Sequence, residues 1–374
     1  MSRSAQPRDG RRSGPGGLFT GPGGRTDSLL RRHGTRLTAL LFLAALYVLA
    51  RQPEVPPQER AALAARFQFT RSSLPEVPGR EPRFIRPVHP SLEGISAWIS
   101  SVGAAVALGD LDGDGLPNDV LHVEPRTDQV TVAPVPGTKH RYPPFRLSPE
   151  PLPYDATTMA PMGGLPADLN EDGLMDVLVV YWGRTPVAFL RRGGGTEPVG
   201  GPARLDASLY KPCEVQTTGE RWFTNAVCQA DLDGDGHGDL IVGNYFPDGA
   251  RILDVGAQGT EPMQASMSRA YNGGREHFLL WSGAKTGNEP EVAYQDANSG
   301  LKPDCLTGWT LAVGAADLDS DLLPEVYVAN DFGPDRLFHN LSRPGALQFA
   351  VLEGKRRLTI PRSKVLGRDS FKGM

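Results

Sequence analysis

The chain has 374 residues, which is enough for one large domain or two ordinary ones with a sizeable core. Its 39 Lys and Arg residues against 43 Asp and Glu residues give a net charge of −4, and no basic stripe with interleaved aromatic residues follows residue 90, so the sequence argues against a nucleic-acid partner. The 44 glycines and 34 prolines favour many short strands over long helices.

The first 50 residues differ from the rest of the chain. Residues 1–36 are rich in Arg, Gly and Ser, and we expect this basic region to be disordered. The apolar run LTALLFLAALYVLA then occupies residues 37–50, directly after several arginines. A basic flank before an apolar run is typical of an export signal, although this run is short for a full membrane span.

This segment predicts either a cleaved signal peptide or an uncleaved signal anchor. In both cases the basic flank stays inside and the rest of the chain is extracytoplasmic. Contact with the membrane is expected only through residues 37–50, and only if the segment is not cleaved. Residues 51–94 are expected to be a linker and lead-in, and residues 95–374 the folded repeats.

An Asp-rich turn occurs four times after residue 95. We call residues 110–119 the first loop, 168–176 the second, 231–239 the third and 317–325 the fourth. A short run rich in Ala, Val and Gly precedes most of these loops, and an apolar or β-branched run follows. This pattern predicts a strand, a tight turn and a second strand at each loop.

The spacing of the acids predicts a Ca²⁺ site in each loop. Side chains at positions 1, 3 and 5 of a tight turn point inward, glycine at position 6 allows the bend, and a carboxylate at position 9 closes the shell of oxygen ligands. The predicted ligands are Asp110, Asp112, Asp114 and Asp119; Asp168, Asn170, Asp172 and Asp176; Asp231, Asp233, Asp235 and Asp239; and Asp317, Asp319, Asp321 and Glu325.

Two loops depart from the pattern. The first has Asn118 at position 9, and its closing acid, Asp119, comes one residue later. The fourth has Leu322 where the glycine is expected, so we expect it to be the weakest or most distorted site. An EF-hand is excluded because position 12 of every loop is apolar rather than the required Glu.

The repeat length predicts an all-β fold. A period near 60 residues with one loop per unit suits four short strands, and such units must pack on one another to bury both faces. Radial packing of these units gives a β-propeller of four-stranded blades with Asp-rich Ca²⁺-binding loops.

The loops and the segments after them resemble a known family of repeats. Together with NYFPDG at 244–249 and NDFGPDRLFHN at 330–340, they are similar to the FG-GAP/VCBS-type repeats of integrin α-subunit propellers. MQASMSRAYNGG at 263–274 and VLGRDSFKGM at 365–374 resemble, more narrowly, the bacterial cartilage acidic protein-like proteins. The resemblance covers residues 95–374 and implies a seven-bladed or similar Ca²⁺-binding propeller outside the cytoplasm.

Four loops are too few for such a ring, so we expect the propeller to be incomplete at the C-terminus. An open ring would expose apolar strand residues on its open faces. The residues expected there are Val177, Leu178, Val179, Leu240, Ile241 and Val326.

The three cysteines suggest a disulfide in an exported chain. Cys213 and Cys228 are close in sequence and form the favoured pair, which leaves Cys305 free or paired between chains. The alternative is that the cysteines are small buried apolar residues.

The leading functional hypothesis is a non-catalytic, exported Ca²⁺-binding repeat protein. It would present its loops to an extracellular protein or glycan whose identity the sequence does not give. The alternative is an extracytoplasmic enzyme, a hydrolase or lyase, with a site in the central channel of the propeller. No HExxH, GxSxG or phosphate-binding glycine loop supports that alternative.

Overall fold

The structure is a computed structural model that describes residues 26–51, 55–139, 141–193, 205–302 and 306–352. The expected disorder of residues 1–25, the pairing of Cys305 and the segment 365–374 therefore lie outside the described residues. The chain divides into two compact units, Met1–Arg71 and Ser72–Met374.

The first unit is helical where it is described. It contains α1 (Thr26–Ala50) and α2 (Pro57–Ala64). Residues 26–36, which we expected to be disordered, form the beginning of α1, so the helix is longer than the apolar run. Residues His33–Ala50 are long and apolar enough to cross a membrane, and the side chains from Leu37 to Leu49 are exposed. This helix fits a signal or an anchor by its length and composition.

The second unit is mostly β and contains four antiparallel sheets that follow one another along the chain. The first sheet consists of β1 (Ala105–Gly109), β2 (Asp119–Glu124), β3 (Gln129–Pro134) and β4 (Phe145–Leu147). The second consists of β5 (Ala160–Ala167), β6 (Asp176–Trp182), β7 (Val187–Arg191) and β8 (Tyr210–Glu214). The third consists of β9 (Thr224–Ala230), β10 (Asp239–Asn244), β11 (Gly274–Lys285) and β12 (Glu291–Asp296), and the short β13 (Thr307–Gly308) also pairs with β11. The fourth consists of β14 (Thr310–Ala316), β15 (Glu325–Asn330), β16 (Arg336–Asn340) and β17 (Phe349–Leu352).

Each Asp-rich loop joins the first two strands of its sheet, so the predicted strand–turn–strand pattern is confirmed at all four loops. The four strands of each sheet pair in chain order, as expected for a four-stranded repeat. Extensive contacts between described strands join each sheet to the next one along the chain.

The core lies between successive sheets and is made by alternating side chains of the central strands. On β6, Val177 and Val179 pack toward the first sheet, whereas Leu178 packs with Leu240 of the third. Our prediction that such residues lie on open faces is wrong, because Val177, Leu178, Val179, Leu240, Ile241 and Val326 are all fully buried. They belong to second strands; those of β6 and β10 lie between two neighbouring sheets, and Val326 of β15 packs against the third sheet. Exposed apolar side chains on the strands include Val106 and Leu108 of β1 and Val351 and Leu352 of β17.

The predicted lead-in is structured from residue 72 and covers the outer side of the first sheet. Arg83 and Arg86 both pair with Asp128 in the turn between β2 and β3. His122 of β2 lies with Nε2 2.9 Å from the carbonyl oxygen of Pro75. A 3-10 helix (Pro90–Ile95) and α3 (Ser96–Ser100) follow and pack into an aromatic cluster at the strand ends remote from the Asp loops.

The predicted disulfide is not formed. Cys213 lies on β8 and Cys228 on β9, and both are free, half-buried thiols. The two strands are neighbours along the chain but belong to different sheets, so closeness in sequence does not bring the sulfur atoms together.

Candidate metal centre

All four loops share one backbone geometry, set by the acid at position 1. In the third loop Asp231 accepts hydrogen bonds from the amides of Asp235 (3.1 Å) and Gly236 (2.9 Å). The equivalent bonds go to the position 1 acids of the other loops, Asp110, Asp168 and Asp317. Positions 4 and 6 take left-handed backbone angles, as at Gly234 (φ 76°) and Gly236 (φ 91°), which explains the glycines.

In the second, third and fourth loops the closing acid ties the loop to the third strand of its own sheet. In the third loop Asp239 is fully buried and accepts from the amides of Leu232 and Trp281, both at 2.8 Å. In the second loop Asp176 accepts from the amides of Leu169 (2.9 Å) and Arg191 (2.6 Å). Burial raises the pKa of Asp176 and of Asp239 to about 7, because backbone amides compensate the buried charge only in part.

The third loop brings three of its four predicted ligands together, without Asp235. Carboxylate oxygens of Asp231, Asp233 and Asp239 lie within 4.8 Å of one another. Asp233 is 1% exposed, and its oxygens accept from the amides of Gly345 (2.6 Å) and Asp235 (3.2 Å). No basic side chain among the described residues pairs with these three acids. A set of converging carboxylates that lacks a protein cation fits Ca²⁺, which takes oxygen ligands.

The second loop offers a similar but less charged set. Asn170 replaces the acid at position 3, is 3% exposed, and has its Nδ2 3.1 Å from Asp172 Oδ2. Its own Oδ1 accepts from the amide of Asp172. The loop offers three carboxylates and one amide oxygen, which are the ligand types that Ca²⁺ takes.

The fourth loop keeps the shared backbone geometry, so the expected distortion is not seen in its backbone, and its being the weakest site stays a prediction. Leu322 takes the left-handed angle of the missing glycine (φ 75°), and its amide still donates to Asp317. A histidine of β16 enters this loop: His339 Nδ1 lies 3.0 Å from Glu325 Oε1 and 3.5 Å from Asp319 Oδ2. The acids at positions 1, 3 and 5 of this loop are all exposed.

The first loop contains a guanidinium group. Arg141, whose side chain is 8% exposed, places Nη1 2.9 Å from Asp112 Oδ2 and 2.7 Å from Asp114 Oδ2. Its Nη2 pairs with Asp119 and donates to the carbonyl of Asn118 at 3.0 Å. The predicted ligands at positions 3 and 5 and the closing acid are therefore brought together around an arginine.

Three residues that the sequence pattern did not reveal link each loop to the next sheet. Each lies on or at the end of a third strand, where its backbone amide donates to the closing acid of its own sheet. Its side chain donates to the carbonyl at position 2 of the loop in the preceding sheet. They are Arg191 to Leu111 (2.7 Å), Trp281 to Leu169 (3.1 Å) and Asn340 to Leu232 (2.9 Å). Because the three residue types differ, only their position in the repeat could have identified them.

The second and third loops also contact each other directly. His237, at position 7 of the third loop, lies with Nδ1 2.8 Å from Glu171 Oε2 of the second loop. Its ring stacks on Trp281 with the ring centroids 4.1 Å apart. The second and third loops are thus joined by the contact of His237 with Glu171, and also through Trp281, which stacks on His237 and donates to the carbonyl of Leu169.

Comparison with known proteins agrees with this region of the chain. Residues 168–242 match a family described as an FG-GAP-like repeat, a segment that runs from the second loop through the third loop to β10. No curated protein matches the chain. The match supports the broader resemblance to FG-GAP repeats and gives no support to the narrower one to cartilage acidic protein-like proteins.

Proposed function

We propose that the second unit is an extracytoplasmic, non-catalytic repeat unit whose second and third loops bind Ca²⁺. The observation that carries this proposal is the convergence of Asp231, Asp233 and Asp239, two of them buried, with no basic side chain on them among the described residues. Like charges this close repel one another unless a cation is present.

The protein ligands in the third loop would be Asp231, Asp233, Asp235, Asp239 and the carbonyl of His237. In the second loop they would be Asp168, Asn170, Asp172 and Asp176. Bound Ca²⁺ would act structurally, by neutralising the acids that hold the first two strands of each sheet in place. The protein itself supplies the rest of the support through the amides on each closing acid.

The location and the type of partner rest on the repeat and on the N-terminal helix. An FG-GAP-like repeat suggests an extracellular, adhesion-type β-repeat protein. The apolar helix His33–Ala50 supplies a signal or an anchor of suitable length. We infer that the rigid loops form a surface for an extracellular protein or glycan, in the manner of the exported repeat proteins that the sequence resembles.

Thermal unfolding of the full chain in detergent tests calcium binding. A ligand that binds only the folded state stabilises it by about 2.7 kcal/mol at a hundredfold excess over its Kd. We expect the melting temperature to be several degrees higher in Ca²⁺ than in chelator, at roughly 2–4 °C per kcal/mol for a unit of this size. Asp233→Asn should remove much of this shift, and Glu93→Gln, which removes one exposed charge away from the loops, should not. Superimposed curves in Ca²⁺ and chelator would contradict the proposal.

A further inference from the structure

We propose that Arg141 is the resident cation of the first loop, so that this loop binds no Ca²⁺ although its acids match the calcium pattern. This inference rests on the proposed calcium binding of the other loops. The charge of the acids would be neutralised by an arginine in the first loop and by Ca²⁺ in the second and third loops.

The guanidinium occupies the positions that an ion would need. It reaches Asp112 at position 3 (2.9 Å), Asp114 at position 5 (2.7 Å), the closing acid Asp119 and the carbonyl of Asn118 (3.0 Å). These oxygens converge on the two nitrogens Nη1 and Nη2 of one side chain. Ca²⁺ would need the same oxygens at about 2.3–2.6 Å, and the planar group and its charge would both have to leave.

The extra residue in this loop explains why an arginine is used here. In the other loops a backbone amide of the third strand donates to the closing acid. This amide belongs to the residue after the one that pairs with the closing acid, as Trp281 does for Asp239. In the first loop the equivalent amide, that of Val135, donates instead to the carbonyl of Asn118 at 2.9 Å. Oxygen Oδ1 of Asp119 is thereby left for side-chain donors, and it accepts from the hydroxyl of Tyr142 (2.7 Å) and from Arg141.

Donors within the first loop also reach two of the acids that Arg141 contacts. The side-chain Nδ2 of Asn118 donates to Asp114 at 3.0 Å, and the backbone amides of Leu111 and Asp112 donate to the other oxygen of Asp119. Asp112 is buried, so its charge requires a partner, and Arg141 provides one. In the first loop the acids are therefore paired with a basic side chain, whereas the buried acids of the third loop accept only from backbone amides.

Calcium stoichiometry measured by isothermal titration of the full chain in detergent tests this division. In the wild type, Asp114→Asn should leave the number of bound ions unchanged, because the first loop holds none. Arg141→Met should add one ion per chain, Arg141→Lys should add none, and Asp112→Asn in the Arg141→Met background should remove the added ion. As a second measurement, the Arg141→Met variant should melt below the wild type in chelator and recover in Ca²⁺.

The results that would overturn the inference are distinct from those that bear on the proposed function. Loss of one bound ion in the wild type on Asp114→Asn would show that the first loop holds Ca²⁺, and it would do so even if Arg141→Met failed to fold. The absence of an added ion in a folded Arg141→Met variant would also refute it. Absence of all binding in the wild type would refute the proposed calcium function, and the change on Arg141→Met would still report on the arginine.

Discussion

Replacement of Leu322 by glycine should stabilise the fourth loop. Leu322 holds a left-handed backbone angle (φ 75°) at the position that is glycine in the other three loops, as at Gly236 (φ 91°). A residue with a Cβ loses about 1–2 kcal/mol in this conformation. Glycine gives back roughly 0.4–1 kcal/mol through the greater freedom of the unfolded chain.

The side chain itself contributes little to the balance. Leu322 is 88% exposed, so its removal sacrifices only a few tenths of a kcal/mol of apolar burial. The net expected gain is roughly 0.5–1 kcal/mol in the free energy of unfolding. Leu322→Ala keeps the Cβ and the strain, and it should give no gain.

Urea unfolding of the full chain in detergent, followed by tryptophan fluorescence, measures both variants. Chelator should be present, so that the backbone effect is separated from any change in calcium binding. Gly236→Ala provides the reciprocal test in the third loop, where a Cβ would meet nothing within 4 Å, so that any loss of stability reports the backbone angle alone. A gain for Leu322→Ala equal to that for Leu322→Gly, or no loss for Gly236→Ala, would refute the argument from the left-handed angle.

Three further predictions follow from the loops, the buried histidine and the N-terminal helix. Asp233→Asn and Asp235→Asn should each weaken calcium binding in a calorimetric titration more than Asp319→Asn does, because no basic side chain among the described residues pairs with the acids of the third loop, whereas His339 already lies against Asp319; equal losses would remove this ranking. Burial lowers the pKa of His277, but its contacts with Asp248 (3.1 Å) and Asp296 (3.5 Å) outweigh burial and raise it. Because the folded pKa is the higher one, the stabilisation by His277 is complete below the unfolded pKa of about 6.5 and is lost as the pH rises through the folded pKa. The stability difference between wild type and His277→Gln should therefore shrink as the pH rises above about 6.5, and a constant difference would exclude a charged histidine. Alkaline phosphatase fused after residue 71 should be active when the chain is expressed in bacteria and inactive when residues 37–50 are deleted; activity without the helix would contradict its role in export.

The repeat and the strands were predictable because they depend on local pattern. Asp at positions 1, 3 and 5 and the glycines at positions 4 and 6 are set by the turn itself, as the amides of Asp235 and Gly236 on Asp231 show. The apolar runs on both sides of each loop have the length and composition of strands, and they form strands. The positions of the four loops and of the strands beside them could therefore be predicted without knowledge of how the sheets pack.

Which basic side chain lies against the acids of a loop was not predictable, because that side chain comes from a residue distant in sequence. Arg141 follows the first loop by more than 20 residues, and His339 enters the fourth loop from another strand. Neither side chain belongs to the loop motif, and only the hairpin geometry brings each one to the acids. The same reason hid the free thiols, since Cys213 and Cys228 are near in sequence but lie in different sheets.

The faces of the sheets were also misjudged from the sequence. Val177 and Leu178 point to opposite sides of β6, yet both are fully buried because a sheet covers each side. An apolar run on a second strand thus indicates a strand enclosed between two sheets. Exposure is found on β1, where Ala105 and Ala107 pack inward and Val106 and Leu108 do not.

Anomalous diffraction from crystals of the full chain grown with Ca²⁺ tests the central claim most directly. The account predicts an anomalous peak in the third loop, surrounded by oxygens of Asp231, Asp233, Asp235 and Asp239, and a second peak in the second loop. It predicts no peak in the first loop, where Arg141 should remain on Asp112 and Asp114. Crystals grown in the presence of Ca²⁺ that show no peak at the third loop would contradict the claim that these Asp-rich turns are calcium sites.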